Sequence, residues 1–183
     1  MKHSREFFLH NSQKYNEKYK GTDDERVEKE LKSWLSKHKY LTREKFIKLG
    51  LWKSKRPQKH YKSSRNTDKF VKKITSFAFE TDDERKRIET LLGAKGGIKG
   101  VSWPVASVIL HFTFPERYPI MDYRVIWSLG WNQPKSYNFE FWQKYGGELK
   151  SLGRKFSFSL RTIDKALWFY SKENQKQTLK SCW

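Results

Sequence analysis

An aspartate at the predicted start of a helix carries the strongest chemical signal in this chain. Asp122 follows the apolar pair Ile120 and Met121, and the residues from Asp122 to Leu129 have the pattern of a short helix. A carboxylate beside the anomeric carbon of a sugar stabilises the positive charge that develops when the bond to that carbon breaks, and it can orient or deprotonate the attacking water. Because Asp is also a favoured N-cap residue, a purely structural role is the alternative.

A glycine-containing bend precedes this aspartate. The bend consists of Lys99, Gly100, Val101, Ser102 and Trp103. A helix is predicted from Pro104 to Phe112, since proline is favoured at the first helical position. Such a bend presents backbone N–H groups in front of the positive end of the helix dipole, which suits a phosphate. A simple interhelical turn is the alternative, and Trp103 suits the core of the bend as well as stacking in a cleft.

The excess positive charge is concentrated in one part of the chain. The formal net charge is +19, and residues 42–75 hold twelve Lys or Arg but only two Asp or Glu. A surplus of this size is usually tolerated because the partner is a polyanion. We therefore expect nucleic acid as the partner, with Lys55 and Arg56 among the contacts, and a solvated charge run is the alternative. No amphipathic membrane helix or lipid signal accompanies these residues, so no membrane partner is expected.

The elements that would position these residues are all helical. The capping box that begins at Thr22 predicts a helix to about Lys39, and the same motif at Thr81 predicts a second helix that ends near Gly93. Apolar spacing predicts further helices after Leu41, after Asn66 or Thr67, from Asn138 to Leu152 and from Ser159 to about Gln175. Residues 51–65 are rich in residue types that favour turns and have no apolar period, so we expect this segment to be a basic loop. The fold class is all-α.

The segment from Gly96 to Gly130 resembles the helix-hairpin-helix DNA glycosylase superfamily, which includes endonuclease III-like and AlkA-like members. That family has a glycine hairpin, a hydrophobic helix and then an aspartate that opens another helix, and Asp122 lies at the matching position. The resemblance implies a two-lobed helical fold with a cleft between the lobes, and Asp122 as the catalytic residue. The chain also resembles a group of small bacterial proteins in motifs that begin at Trp52, Gly100, Tyr118 and Ala166.

Three positions depart from the family pattern. Ser102 stands where a second hairpin glycine is usual, which reduces the freedom for positive φ. Pro104 stands where strand-cutting members carry a Schiff-base lysine, so lyase chemistry by the usual residue is not expected, although Lys53 could supply an amine instead. Tyr123 and Arg124 replace the commoner Thr-His, so the family's substrates do not transfer directly.

Chemistry on a base within a duplex requires that the nucleotide is flipped into a pocket lined by aromatic faces. The expected pocket residues are Trp52, Lys53, Tyr118, Tyr123, Trp168 and Lys172, and Trp127 and Tyr170 are further aromatic candidates. Trp52 and Lys53 are favoured because they open the basic segment. For each aromatic residue, packing in the core is the alternative. Arg124 is expected to contact DNA together with the bend.

Other residues argue against further chemistry. A single cysteine, Cys182, provides no disulfide framework, iron–sulfur cluster or multi-cysteine zinc site, so we expect neither a metal nor a cofactor. His60 and His111 have no partners typical of a metal site or a catalytic triad, and we expect them to be exposed and packed, respectively. The first residues have no apolar run typical of a signal peptide, which predicts a cytoplasmic, nucleoid-associated protein.

These observations predict one monomeric unit over residues 1–183. Residues 21–95 would form a helical region with the basic loop, residues 96–131 the hairpin and catalytic segment, and residues 137–176 the last helices. The expected function is that of a monofunctional DNA glycosylase that removes a modified or mispaired base from double-stranded DNA. The alternatives are a non-catalytic helix-hairpin-helix DNA-binding protein and an RNA-binding protein.

Overall fold

A computed structural model describes residues 3–175, and Cys182 lies outside this range. Within these residues the chain is all-α, as predicted, and contains no strand. The helices are α1 (Arg5–Tyr19), α2 (Asp23–Leu35), α3 (Arg43–Lys53), α4 (Gln58–Tyr61), α5 (Asp68–Glu80), α6 (Glu84–Glu89), α7 (Trp103–Thr113), α8 (Tyr123–Ser128), α9 (Phe139–Phe156) and α10 (Leu160–Asn174). No helix among the described residues is long and apolar enough to cross a membrane.

Side-chain caps begin most of these helices at the predicted positions. Thr22 accepts a hydrogen bond from the backbone N–H of Glu25, whose carboxylate accepts one from the N–H of Gly21. Threonine, asparagine and serine caps begin α3, α5, α9 and α10 in the same way. Each of these side chains satisfies a backbone donor that the first turn of a helix leaves without a partner.

Three predicted helix ends were wrong. Helix α9 continues to Phe156, one turn beyond the predicted Leu152. Helix α2 stops at Leu35 instead of Lys39, because the chain turns there and the Trp34 indole donates to the carbonyl of Tyr40. Helix α6 is capped by Asp83, and not by Thr81, and it ends at Glu89 before the predicted Gly93. Thr81 instead follows the end of α5, where its N–H donates to the carbonyl of Phe77.

The predicted basic loop over residues 51–65 is partly helical. Its first three residues complete α3, and residues 58–61 form α4. Tyr61 anchors this segment, because its ring is fully buried and packs against the Phe46 ring at a centroid distance of 5.6 Å. The loop prediction failed because Tyr61 is the one large buried side chain of a segment in which nothing recurs at helical spacing.

Helix α1 has no counterpart among the predicted helices. Only Phe8 and Ser12 of this helix are buried, so its apolar period is weak. The helix is held by tertiary packing against α10. This packing brings Tyr15 and Tyr19 to the site described below.

The helix contacts fall into two groups. Helices α1, α8 and α9 pack against α10, whereas α2, α3, α5, α6 and α7 pack among themselves, with α4 against α3. The buried apolar residues of both groups nevertheless form one continuous core. His111 is completely buried in that core and His60 is exposed, so both histidine predictions are confirmed.

Candidate active site

The glycine bend before α7 is a tight, braced turn. Gly100 has a φ of +92°, and the N–H of Val101 donates to the carbonyl of Ile98 over 3.0 Å. Ser102 is the N-cap residue of α7 and has a φ of −99°, so serine is not strained at this position. Ser102 stands at the second glycine position of the family hairpin but does not need a positive φ. Within the bend from Lys99 to Trp103, only Gly100 has a positive φ.

The bend leaves several donors available. Among the described residues, the backbone N–H groups of Gly100, Ser102 and Trp103 have no hydrogen-bond acceptor, and the Ser102 hydroxyl does not cap the helix. Ser102 is exposed and Trp103 is half-buried against the core. These donors precede the positive end of the α7 dipole, which is the arrangement that favours an anion.

Asn66 ties the bend to the basic segment. Its side-chain amide donates to the carbonyls of His60, Tyr61 and Lys99, and its oxygen accepts from the N–H of Lys99. Asn66 is completely buried, so these bonds satisfy a buried amide. The backbone of Lys99 is therefore engaged within the protein, while its side chain is exposed.

Replacement of Gly100 by alanine should strain this turn. A Cβ there would lie 2.8 Å from the Tyr61 ring, in addition to the cost of a positive φ. We expect the Gly100→Ala variant to lose about 1–3 kcal/mol of unfolding free energy and to bind duplex DNA more weakly. Chemical denaturation and fluorescence anisotropy measure the two effects.

Gly96→Ala is the matched control for this experiment. Gly96 has a φ of +85°, but nothing lies within 4 Å of a Cβ built on it. This variant should have a comparable backbone strain and keep the DNA affinity of the wild type. Equal DNA affinity of the Gly100→Ala and Gly96→Ala variants would contradict a phosphate-binding role for the bend.

Asp122 is held rigidly at the start of α8. The residues before it are fixed by two buried bonds: the Tyr145 hydroxyl donates to the carbonyl of Ile120 over 2.6 Å, and the N–H of Met121 donates to Ser107 Oγ over 2.8 Å. Asp122 Oδ1 accepts from the backbone N–H of Arg124 at 2.9 Å, so Asp122 is the N-cap of the helix. Asp122 therefore has the N-cap role that was the structural alternative to a chemical role, and this role engages one of the two carboxylate oxygens.

Lys53 occupies the other oxygen of Asp122. Its Nζ lies 2.5 Å from Asp122 Oδ2, although the two residues are far apart in the sequence. The side chains of Lys53 and Asp122 are only 9% and 13% exposed. Lys53 is the last residue of α3, so the end of that helix delivers an amine to the start of α8.

A groove of about 690 Å³ opens on one side of this pair. It is lined by Lys53, Ser54, Arg56, Pro57, His60, Ser102, Pro104, Val105, Asp122, Tyr123 and Tyr137. The basic segment forms one wall and the start of α7 forms another. The groove therefore extends from Ser102 of the bend to Asp122, whereas Gly100 and Trp103 do not line it.

A smaller cavity of about 110 Å³ also adjoins this pair. It is lined by Tyr15, Tyr19, Asp24, Trp52, Lys53, Ile120, Asp122, Arg161, Asp164 and Trp168, and we call it the aromatic cavity. Lys53 and Asp122 line both the groove and the aromatic cavity, so the ion pair lies at their junction. Four aromatic rings beside a row of charged groups suit a flat, polar ring system.

A buried ion cluster supports the floor of the aromatic cavity. Arg161 donates to both oxygens of Glu28 and also to Asp164. Burial raises the pKa of the Asp164 carboxyl to about 6, although the positive charge of Arg161 opposes this shift. The pKa of Glu28 is lowered, because the hydrogen bonds and charges of Arg161 and Lys32 outweigh its burial.

The Arg161→Met variant should be strongly destabilised at neutral pH. Arg161 is 11% exposed and joins two carboxylates that are 10% and 4% exposed, so its loss leaves the buried Asp164 without this ion pair and Glu28 with Lys32 alone. We expect the unfolding free energy to fall by about 3–5 kcal/mol. Burial then raises the carboxyl pKa values above those of the unfolded chain, so the deficit should shrink as the pH falls from 7 towards 5.

Arg85→Met is the surface control for the same denaturation series. Arg85 pairs with Glu140 at 2.5 Å, and these side chains are 50% and 64% exposed. Its loss should cost no more than about 1 kcal/mol at any pH. A deficit of that small size in Arg161→Met, or one independent of pH, would contradict the role assigned to the buried cluster.

No family model, curated protein or solved structure matches this chain.

The structure brings together many of the residues singled out from the sequence. Trp52 and Trp168 line the aromatic cavity, Tyr123 lines the groove, and Lys53 and Asp122 line both. The Arg124 guanidinium does not line the cavity but lies 5.6 Å from the centre of the Trp168 ring, which does. Ser102 and Arg56 line the groove, whereas Lys99 and Lys55 are exposed nearby in sequence and line neither space.

Other candidate residues lie elsewhere. Tyr118 does not line either space, because its hydroxyl donates to Glu84 and its ring stacks on Trp142 at 5.5 Å. Trp127 and Tyr170 are in contact with each other, with ring centroids 6.0 Å apart, and also line neither space. Lys172 binds the Tyr19 hydroxyl at 2.5 Å, outside the lining of the aromatic cavity.

Sequence reasoning missed five residues of the aromatic cavity as site residues: Tyr15, Tyr19, Asp24, Arg161 and Asp164. Tyr15 and Tyr19 are one helical turn apart, which is a signal for a shared face but not for what that face contacts. Arg161 and Asp164 have the spacing of an ion pair on a helix, and such pairs are common on exposed surfaces.

Proposed function

We propose that this protein is a DNA glycosylase that hydrolyses the N-glycosidic bond of a modified or mispaired base in duplex DNA. The observation that carries the proposal is the position of Asp122, which lines both a groove beside a basic segment and a small aromatic cavity. DNA bound along the groove would place a flipped base in the aromatic cavity and the C1′ atom of its sugar at the junction. Asp122 would then lie beside the breaking bond.

The groove supplies a suitable surface for a DNA backbone. The N–H groups of Gly100, Ser102 and Trp103, which have no acceptor among the described residues, would bind one phosphate near the start of α7. Arg56 lines the same groove, and the surrounding segment adds positive charge without any acid from Leu51 to Arg65. These contacts would bind DNA without regard to its sequence.

The aromatic cavity supplies what a flipped base needs. Trp52 and Trp168 are half-buried and line the cavity, and Asp164 offers a polar group for the edge of a base. A stacked base would share these rings with the cations that already lie over them, Arg161 on Trp52 and Arg124 and Lys172 on Trp168. Tyr15 adds a hydroxyl that accepts a hydrogen bond from Arg161 at 3.2 Å. The energy lost by unstacking the base from the duplex would be recovered in part by these faces.

Asp122 retains the capacity to act although both of its oxygens are engaged. A carboxylate has about four acceptor sites, and the bonds from Arg124 and Lys53 occupy two of them. The remaining sites would accept a hydrogen bond from the attacking water. The negative charge would stabilise the cationic sugar of the transition state.

A panel of lesion-containing duplexes tests this proposal. Each duplex carries one modified or mispaired base and an end label, and alkali after incubation converts an abasic site into a strand break. We expect at least one duplex to give an alkali-labile product with release of the free base. Binding of the panel with no base released from any member would contradict the proposal.

A non-catalytic DNA-binding protein is the second candidate function. The observation in its favour is that Asp122 already serves as a helix cap and as the partner of Lys53. In that case the ion pair would only join α3 to α8. The protein would then bind duplex DNA, and Asp122→Asn would alter stability without any effect on a chemical product.

A further inference from the structure

Asp164 is a buried carboxyl in the lining of the aromatic cavity that takes no part in the bond breaking proposed above. Its Oδ2 accepts a hydrogen bond from Arg161, whereas its Oδ1 has no hydrogen-bond donor among the described residues. The side chain keeps 4% of its surface exposed, and the aromatic cavity is the space that it lines. Oδ1 is therefore the oxygen that a base in the cavity would meet.

Asp164 has to share its cation. Among the described residues its only ion-pair partner is Arg161, which also donates to both oxygens of Glu28. Glu28 has Lys32 as a second partner, but Asp164 has none. A buried carboxylate with half a partner is costly to keep charged, which favours the neutral acid. Since Oδ2 accepts from Arg161, the proton of that acid is carried by Oδ1, on the side of the cavity.

Groups from several helices act on the Asp164 carboxyl. They are Arg161 and Lys165 of α10, Lys53 of α3, Asp122 at the start of α8, Tyr15 of α1 and Tyr145 of α9. Burial is the largest influence on Asp164 and raises its pKa to about 6, against the positive charges of Arg161 and Lys53. The negative charge of Asp122 acts in the same direction as burial. An acid in this range is suited to give up a proton near neutral pH.

A base that leaves the sugar needs such a proton. When the N-glycosidic bond breaks, its electron pair stays on the base, and an uncharged base is a poor leaving group unless a proton reaches it in the transition state. Other groups of the cavity are poor donors, because arginine keeps its proton at neutral pH and burial raises the pKa of Tyr15 to about 12. The Lys53 ammonium faces Asp122, where the sugar would lie.

We propose that Asp164 is the general acid of the glycosylase reaction and that its Oδ1 protonates the departing base. This inference rests on the proposed function, because it requires a flipped base in the aromatic cavity. It adds a second catalytic residue on a different helix. Asp164 on α10 would act on the base, whereas Asp122 before α8 would act on the sugar and the water.

The step needs no oxidant or reductant. The proton on Asp164 Oδ1 passes to a ring nitrogen or carbonyl oxygen of the base as the bond between C1′ and the base breaks, and the electron pair of that bond stays with the base. The oxygen of one water then bonds to C1′, and the Asp122 carboxylate accepts a proton from this water. Asp122 releases that proton and Asp164 regains one from the solvent, so the net reaction is hydrolysis.

The pH dependence of base release tests the inference. The probe is the duplex of the lesion panel that loses an uncharged base fastest, in single-turnover reactions with the full chain in excess from pH 5 to pH 8.5. We expect the rate constant to be level up to about pH 6 and to fall about tenfold per pH unit above it. The reason is that the acid form of Asp164 is lost as the pH rises through its pKa.

The Asp164→Asn variant should lose this dependence. The asparagine oxygen can still accept the hydrogen bond from Arg161, but the amide cannot protonate a base. At pH 5.5 we expect a loss of at least about 100-fold in the rate constant, and the remaining rate should be nearly constant from pH 6 to pH 8.5. Thermal denaturation and DNA affinity show whether the variant is folded. The wild-type profile alone keeps the inference falsifiable if it is not.

Glu28→Gln is the matched control. Glu28 shares Arg161 with Asp164, is 10% exposed and does not line the aromatic cavity. Without the charge of Glu28, Arg161 would act more strongly on Asp164 and lower its pKa. The decline of the rate should therefore persist in this variant but begin at a lower pH. A merely structural role of the cluster predicts that both variants lose activity with the pH dependence of the wild type.

The outcome is separable from that of the proposed function. If no duplex of the panel loses its base, the proposed function fails and the inference fails with it. If an uncharged base is released but Asp164→Asn keeps the rate or the pH profile of the wild type, the inference alone is overturned. Release of cationic bases only would also overturn it, because such bases leave without an added proton.

Discussion

The Asp122→Asn variant should lose base excision by at least about 100-fold while its affinity for duplex DNA stays close to that of the wild type. Asparagine has the shape of aspartate and is also a good N-cap, so its side-chain oxygen should still accept the hydrogen bond from Arg124. It lacks the negative charge that stabilises a cationic sugar. The rate is measured in single-turnover reactions on the most reactive duplex of the lesion panel, and affinity is measured by fluorescence anisotropy.

Asp24→Asn is the matched control. Asp24 lines the aromatic cavity but not the groove, so its carboxylate is not at their junction. Its replacement should change the excision rate by much less than that of Asp122. If Asp122→Asn excises the base as fast as the wild type, Asp122 is a cap and no more. Thermal denaturation shows whether the loss of a partner for Lys53 has altered the fold.

DNA affinity should fall steeply with salt. If the groove and its surroundings engage about 6–10 phosphates, the affinity for a duplex should decrease by roughly three to five decades between 50 and 200 mM salt. The cause is the release of counterions from the DNA as basic side chains neutralise its phosphates. Anisotropy titrations at several salt concentrations measure the slope of log affinity against log salt.

Two comparisons identify the surface responsible for this slope. Arg56→Gln, in the lining of the groove, should reduce the slope by about one, whereas Lys18→Gln should not, because Lys18 lies on α1 and pairs with Glu173 at 3.2 Å. Duplex RNA at matched salt should bind more weakly than duplex DNA. An equal or higher affinity for RNA would favour an RNA-binding protein, and a shallow slope for both would contradict a polyanionic partner.

The helical fold was largely predictable because its signals are local. A short polar side chain before an apolar period is sufficient to identify the start of a helix. Five helices begin at caps identified in this way: Thr22, Thr42, Thr67, Asn138 and Ser159. Helix α1 was not predicted. Its stability depends on packing against α10, and few of its own residues are buried.

The site was predictable only in part, because its residues come together through contacts between helices that are distant in the sequence. Asp122, Trp52 and Lys53 were each identified from their neighbours in the chain, but no spacing rule connects Lys53 to Asp122. Their contact exists because α3 and α7 pack together and α7 leads into the segment that ends at Asp122. Tyr15 reaches the aromatic cavity through the packing of α1, which the sequence pattern does not reveal.

The hydrogen bonds of Asn66 have a consequence for how this protein would meet a large ligand. The buried Asn66 amide bonds to the carbonyls of His60 and Tyr61 and to both backbone groups of Lys99. The basic segment and the bend are therefore held together before a ligand binds. Neither has to be ordered during association, so little conformational freedom remains to be lost there. The basic segment and the bend would therefore contact a rigid double helix as one preformed surface.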